Sequence, residues 1–122
     1  MIKILRVIPL IAWCTLIFFM SSQNAIGVSE TKAVDILIHK LAHLIEYAML
    51  YLFWILAFYR QTKPNPQIVY GGVIFVLFYG VTDEIHQSFN PTRSPRWYDV
   101  LIDTLGGLIG YTIFLLYRKI NK

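Results

Sequence analysis

Three strings in this 122-residue chain collect the side chains that move protons, hold metals or pair with ions. His39, His43 and Glu46 stand at i, i+4, i+7, which on a helix places them within an arc of about 60°. In DEIHQSF, Asp83, His86 and Gln87 stand at i, i+3, i+4 and share a side if the helix runs that far, with Glu84 off that face. Asp99 and Asp103 are one turn apart, and the face below Asp103 continues through Gly107 and Gly110. Carboxylates beside imidazoles suit general base and acid work, with Glu46, Asp83, His86 and Asp103 as the catalytic candidates. The pairs His43/Glu46 and Asp83/His86 also have the i, i+3 spacing by which one helix supplies two metal ligands, and such oxygen and nitrogen donors suit zinc, manganese or iron. The chain has no CxxC, HExxH, GxSxG or glycine-rich phosphate loop. No cofactor is therefore expected; a divalent metal is the one addition the residue set leaves room for.

The elements that must position these groups are apolar. Hydrophobic residues make up 57% of the chain and the mean hydropathy is +0.55, a surplus that belongs in lipid. Apolar runs cover 7–20, 44–59 (broken by Glu46), 68–82 and 100–117 (broken by Asp103). They are apolar on all sides, unlike the striped helices of a soluble bundle. The pattern predicts an all-α integral membrane bundle of about four transmembrane helices in a single domain over 1–122, with spans near 4–20, 42–60, 67–86 and 98–118. Each run is shorter than the roughly 20 residues that cross a hydrocarbon core, so flanking polar residues must share the crossing. The first run, behind Lys3 and Arg6, has the form of a signal peptide, but SSQNAIG (21–27) offers no A-x-A cleavage site and a retained span is expected. Cys14 lies inside that run and is assigned to packing.

The net charge of +4 does not point to nucleic acid, because the basic residues sit at the ends of apolar runs without forming a patch. Lys3, Arg6, Arg60, Lys63, Arg118, Lys119 and Lys122 fall on one side of the bilayer; Lys32, Lys40, Arg93 and Arg96 fall on the other. That excess predicts cytoplasmic termini, with Tyr59 and Tyr117 at the inner interface and Trp97 and Tyr98 at the outer one. QTKPNP (61–66) makes the second and third spans an antiparallel hairpin. The outer connections, 21–43 and 83–99, hold nearly all the remaining ionisable groups, and Ser94 with Pro95 reads as the N-cap and first position of the fourth helix. All three polar strings then begin near the outer surface and point into the bundle at one depth. Plainer roles compete with function: headgroup contact for His39 and His43, dipole compensation for Asp99, and close helix packing for Gly106 and Gly110. Glu46 and Asp103 lie deeper, where an ion must be paired or face a wet cavity, with Arg93 and Arg96 the expected partners.

The chain resembles the VanZ-like family of small bacterial membrane proteins nearly end to end. The resemblance is carried by LIFFMSSQ (16–23), HKLAHLIEYAMLYLF (39–53) and above all YGVTDEIHQSFNPTRSPRWYDVLIDTLGGLIG (79–110). It implies a multi-pass plasma-membrane protein whose namesake is associated with resistance to the glycopeptide teicoplanin. It carries over His39, Lys40, His43, Glu46, Tyr47, Asp83, Glu84, His86, Gln87, Arg93, Asp99, Asp103 and Gly107 as family positions. Three functions follow as alternatives. In the first, the outer polar belt binds an amphiphile, either a lipid-linked cell-wall precursor or a glycopeptide antibiotic, with His39, Lys40, His43, Glu46, Asp83, Glu84, His86, Gln87, Arg93, Asp99 and Asp103 as the ligand-binding set. In the second, the chain is an enzyme on a lipid or lipid-phosphate, with Glu46, Asp83 or Asp103 as base and a histidine as acid. The third is a proton-coupled transporter, for which four short helices leave little room.

Overall fold

A computed structural model describes residues 2–24, 27, 29–60 and 65–121. Four helices account for most of them: α1 (Ile2–Ser22), α2 (Lys32–Phe58), α3 (Pro66–Ser88) and α4 (Trp97–Ile120). All four are long and apolar enough to cross a membrane. At 21 to 27 residues they exceed the apolar runs, so the polar flanks are helical, as runs that short require. α3 starts where sequence chemistry says it should: Pro66 takes the first turn and the Asn65 side chain accepts from the Gln67 backbone N–H at 2.9 Å. Residues 61–64 of the expected hairpin link lie outside the described residues.

Two starts differ from expectation. α2 begins at Lys32, so the second half of the connection assigned to 21–43 is helix. No Gly or Pro interrupts residues 32–43, and Asp35 in the first turn complements the helix dipole. α4 begins at Trp97 after Arg96, and neither Ser94 nor Pro95 is helical. The exposed Ser94 precedes a proline, which disfavours helical backbone there. A carboxylate from the neighbouring helix takes over the capping role, since Glu84 accepts from the Arg96 backbone N–H.

Contacts between helices fix their directions. Ser22, ending α1, bonds His86 near the end of α3, while His43 of α2 meets Asp103 in the second turn of α4. At the opposite end, Trp54 Nε1 donates to Ile68 O at 2.9 Å, Tyr51 Oη donates to Val69 O at 3.1 Å, and Tyr59 packs edge-on against Phe114. The helices therefore alternate in direction, and the ionisable strings share one end. α2 is central and touches the other three; among the described residues α1 does not reach α4. α1 is tied instead to α2 and α3, by Trp13 Nε1 to Glu46 O at 2.9 Å and Tyr79 Oη to Cys14 O at 2.6 Å. In each case the polar tip of an apolar ring bonds a helix carbonyl, the partner available away from water. Cys14 packs against the core, as expected of it. Only 17% of the apolar window of α1 and 28% of each of the others is buried within the protein, and Ile11, Ile45, Phe78 and Leu116 point outward, the distribution a lipid-facing surface needs.

The α2–α4 contact is set by glycine. A Cβ on Gly106 would stand 2.6 Å from Leu44 O, and one on Gly110 2.6 Å from Ala48 O, so backbone meets backbone at both turns. Gly107 faces α3 instead, where a Cβ would lie 2.6 Å from Val76 Cγ1. Gly71 is different, since a Cβ there meets only Trp54 at 3.7 Å. Gly106→Ala and Gly110→Ala are expected to destabilise the bundle by about 1–3 kcal/mol each through forced separation of α2 and α4. Gly71→Ala should be neutral or stabilising by up to about 1 kcal/mol, from helix propensity. Equilibrium unfolding in detergent measures all three, and equal effects would contradict the close-approach assignment.

Candidate functional site

The deepest polar contacts cross between helices. His43 Nδ1 and Asp103 Oδ1 are 2.8 Å apart, joining α2 to α4, and Asp103 is only 1% exposed. Asp83 of α3, also buried, accepts from Tyr47 Oη at 3.2 Å and from Gln87 Nε2 at 3.0 Å, both on Oδ2. One donor atom each from His43, Asp83 and Asp103 lie within 4.8 Å of one another. Local packing makes room for this cluster: a Cβ on Gly80 would stand 3.3 Å from Asp103 Oδ2, so glycine lets α3 close over the carboxylate. His43 and Tyr47, one turn apart on α2, hold their rings nearly parallel, at 7°.

Two cavities adjoin the cluster at the same end of the bundle. The inner one, of about 340 Å³, runs from Ile17 and Ser21 of α1 to Glu46 and Asp83. The outer one, of about 400 Å³, is bounded by the first turns of α2 and α4 and the segment between α3 and α4. His39, His43, Gln87 and Arg93 line both. Their charges differ in sign. Among the described residues the outer cavity presents Lys32, Lys40, Arg93 and Arg96 against Asp35 and Asp99, whereas the inner one presents Glu46 and Asp83 beside Arg93. An outer basic cavity thus shares a wall with an inner acidic one.

The arginines expected to pair with deep carboxylates make their hydrogen bonds elsewhere, and Arg93 reaches Glu46 only as a through-space charge. Arg93 donates through Nε and Nη2 to Gln23 O at 3.2 and 3.1 Å, and through Nη2 to Met20 O at 3.4 Å. Asn90 Nδ2 reaches Ser22 O and Gln23 O. These donors close the carbonyls that the end of α1 leaves open, a capping role on which the position of Arg93 in the cavity wall depends. Arg96 bonds Tyr98 Oη, and Lys40 Nζ sits 4.9 Å from the centre of the same Tyr98 ring. The partner of Asp103 is therefore His43.

The expected set converges in part. His39, His43, Glu46, Asp83, Gln87 and Asp103 meet in or beside the inner cavity, while Lys40 and Asp99 line the outer one. His39 is oriented by a 2.8 Å contact from Nδ1 to Asp35 O. Two candidates fall outside. His86 turns toward α1, with Nε2 2.8 Å from Ser22 Oγ and its ring stacked 4.2 Å from Phe18, so the Asp83/His86 pairing expected of a metal site does not form. The reason is a difference of 100° between i+3 and i+4 positions: Gln87 takes the inward direction that Asp83 shares. Glu84 serves the α4 terminus. A family model described as VanZ/LLP1 matches residues 6–118, which include every residue of this polar network. The chain belongs to the VanZ-like family. No curated protein and no solved structure matches it. In this VanZ-like protein the family positions thus divide between cavity walls (His39, Lys40, His43, Glu46, Gln87, Arg93, Asp99), bonds to other helices or their caps (Tyr47, Asp83, Glu84, His86, Asp103) and packing (Gly107).

Ser21 was not legible as part of the site. It is 6% exposed, lines the inner cavity, and its Oγ has no hydrogen-bond partner among the described residues. A serine at the end of an apolar run carries no sequence signal for this. The Tyr47 bond is directly testable: Tyr47→Phe keeps the ring and removes one donor to a buried carboxylate, so a loss of about 1–3 kcal/mol is expected. Thr112→Val, which removes only a bond to its own helix, should stay within about 0.5 kcal/mol. Unfolding in detergent separates them, and a silent Tyr47→Phe would mean that the Asp83 contact carries no energy.

Proposed function

We propose that this VanZ-like protein binds the anionic headgroup of an amphiphilic envelope ligand, of which a lipid-linked cell-wall precursor is the fitting class, in the outer cavity. One observation carries the reading: a cavity of about 400 Å³ with four cationic side chains against two carboxylates sits at one end of a membrane bundle, directly above a buried polar cluster. Guanidinium and ammonium groups match phosphate and carboxylate headgroups. Apolar faces flank the same end, with Ile36, Leu37 and Leu41 of α2 and Leu101 of α4 exposed, and would accept the tail. The excess of Lys and Arg at the opposite helix ends supports cytoplasmic termini in the plasma membrane and an outward-facing site. Binding there alters how a precursor is displayed at the surface, which is how such a protein contributes to glycopeptide tolerance of the teicoplanin type.

A second reading draws on the His43–Asp103 pair. A carboxylate on one imidazole nitrogen orients the other as a base, the arrangement a lipid-phosphate hydrolase or transferase needs. The two readings part on turnover. With polyprenyl phosphate presented in nanodiscs, the binding reading expects saturable association without phosphate release or transfer. Lys40→Gln combined with Arg96→Gln should weaken it at least about tenfold, the loss of roughly 1.4 kcal/mol of charge-assisted contact. Arg118→Gln, at the far end against Tyr59 and Phe114, should leave it unchanged. Equal affinity for an uncharged polyprenol, or no response to the double variant, would refute headgroup binding; multiple turnovers would establish the enzyme reading in its place.

A further inference from the structure

We propose that His43, Asp83 and Asp103 hold a divalent cation between α2, α3 and α4. The sequence pairs pointed to Asp83 with His86 and to His43 with Glu46; the fold selects a different trio, one donor from each of three helices. Charge is the first argument. Asp83 and Asp103 are 6% and 1% exposed, Glu46 lines the adjoining cavity, and among the described residues the cationic partner bonded to these three is an imidazole. Arg93, the guanidinium among the described residues of that cavity wall, acts on Glu46 only through space, because its hydrogen bonds go to the Met20 and Gln23 carbonyls. Buried carboxylates in this excess are paired, protonated or bound to metal.

Geometry is the second argument. Metal–ligand bonds of about 2.0–2.2 Å put neighbouring donors about 3–3.5 Å apart. His43 Nδ1 and Asp103 Oδ1 already stand at 2.8 Å, and one donor atom from each of the three residues lies within 4.8 Å of the others. Both hydrogen bonds to Asp83 fall on Oδ2, from Tyr47 and Gln87, which orients the carboxylate and leaves Oδ1 to coordinate. Ser21 supplies an independent sign. Its buried, unpartnered hydroxyl lines the same cavity as His43 and Asp83, where an oxygen carried on the ion would accept its proton. One nitrogen and two carboxylates describe a first-row divalent ion such as zinc or manganese.

The full chain, purified in detergent, stripped with chelator and dialysed against Zn²⁺ or Mn²⁺, is expected to retain about one ion per chain by elemental analysis. Asp83→Asn and His43→Gln should each weaken binding at least about tenfold. His86→Gln, which alters a histidine facing α1, should keep the full load. Loading below a tenth of an equivalent in folded protein would overturn the proposal, as would loading at the parent level in Asp83→Asn or His43→Gln. If either variant loses its helical circular dichroism, pulsed electron paramagnetic resonance of the Mn²⁺-loaded parent protein decides: coupling to an imidazole nitrogen is expected, and its absence contradicts the site.

Discussion

A polar group at membrane depth must find its partner inside the protein, and for the most deeply buried carboxylate of this chain that partner is His43, bonded to Asp103. The carboxylate is nearly inaccessible, so its hydrogen bond holds α2 and α4 in register at the turn where the apolar run of α4 is broken. Other features support that contact. Gly80 lets α3 approach the Asp103 carboxylate, and Gly106 and Gly110 let the α4 backbone rest on α2 just below. Tyr47, one turn from His43, carries the same logic across to Asp83 on α3. Cavity, cluster and helix packing are therefore one construction.

This construction explains why the site lies at one end. α1 joins α2 and α3 through aromatic hydrogen bonds to backbone carbonyls, from Trp13 to α2 and from Tyr79 of α3 back to α1, and the carbonyls at its C-terminal end are closed by Asn90 and Arg93 from the segment that leaves α3. That segment therefore both caps α1 and walls the two cavities. A ligand that engaged Arg93 would compete with, or add to, its hold on α1, coupling occupancy to the docking of a helix that is the least buried of the four.

The fold was legible because apolar runs without polar stripes have one solution in lipid, and the three polar strings could be assigned to one end from the alternation of short and long connections. Helix starts were less legible. The chain from Lys32 to His43 mixes apolar and charged residues, and hydropathy alone hides a helix that the backbone has no reason to end. Ser94 and Pro95 look like a cap, yet the cap is a carboxylate ten residues earlier, from a contact only tertiary structure creates. Within the site, i, i+3 and i, i+4 neighbours are indistinguishable by stripe alone; packing against Ser22 and Phe18 draws His86 toward α1 and leaves Gln87 facing Asp83. Arg93 was read as an ion partner because the carbonyls it closes carry no signal in the sequence.

The most direct measurement is a double-mutant cycle on the contact from which the rest follows. His43→Gln, Asp103→Asn and the pair are compared by equilibrium unfolding in detergent. The bonded pair predicts a coupling energy of about 1–3 kcal/mol, each single change costing nearly as much as both together. Strictly additive losses would contradict the account, since His43 and Asp103 would then contribute independently and the polar end of the bundle would not be built around them.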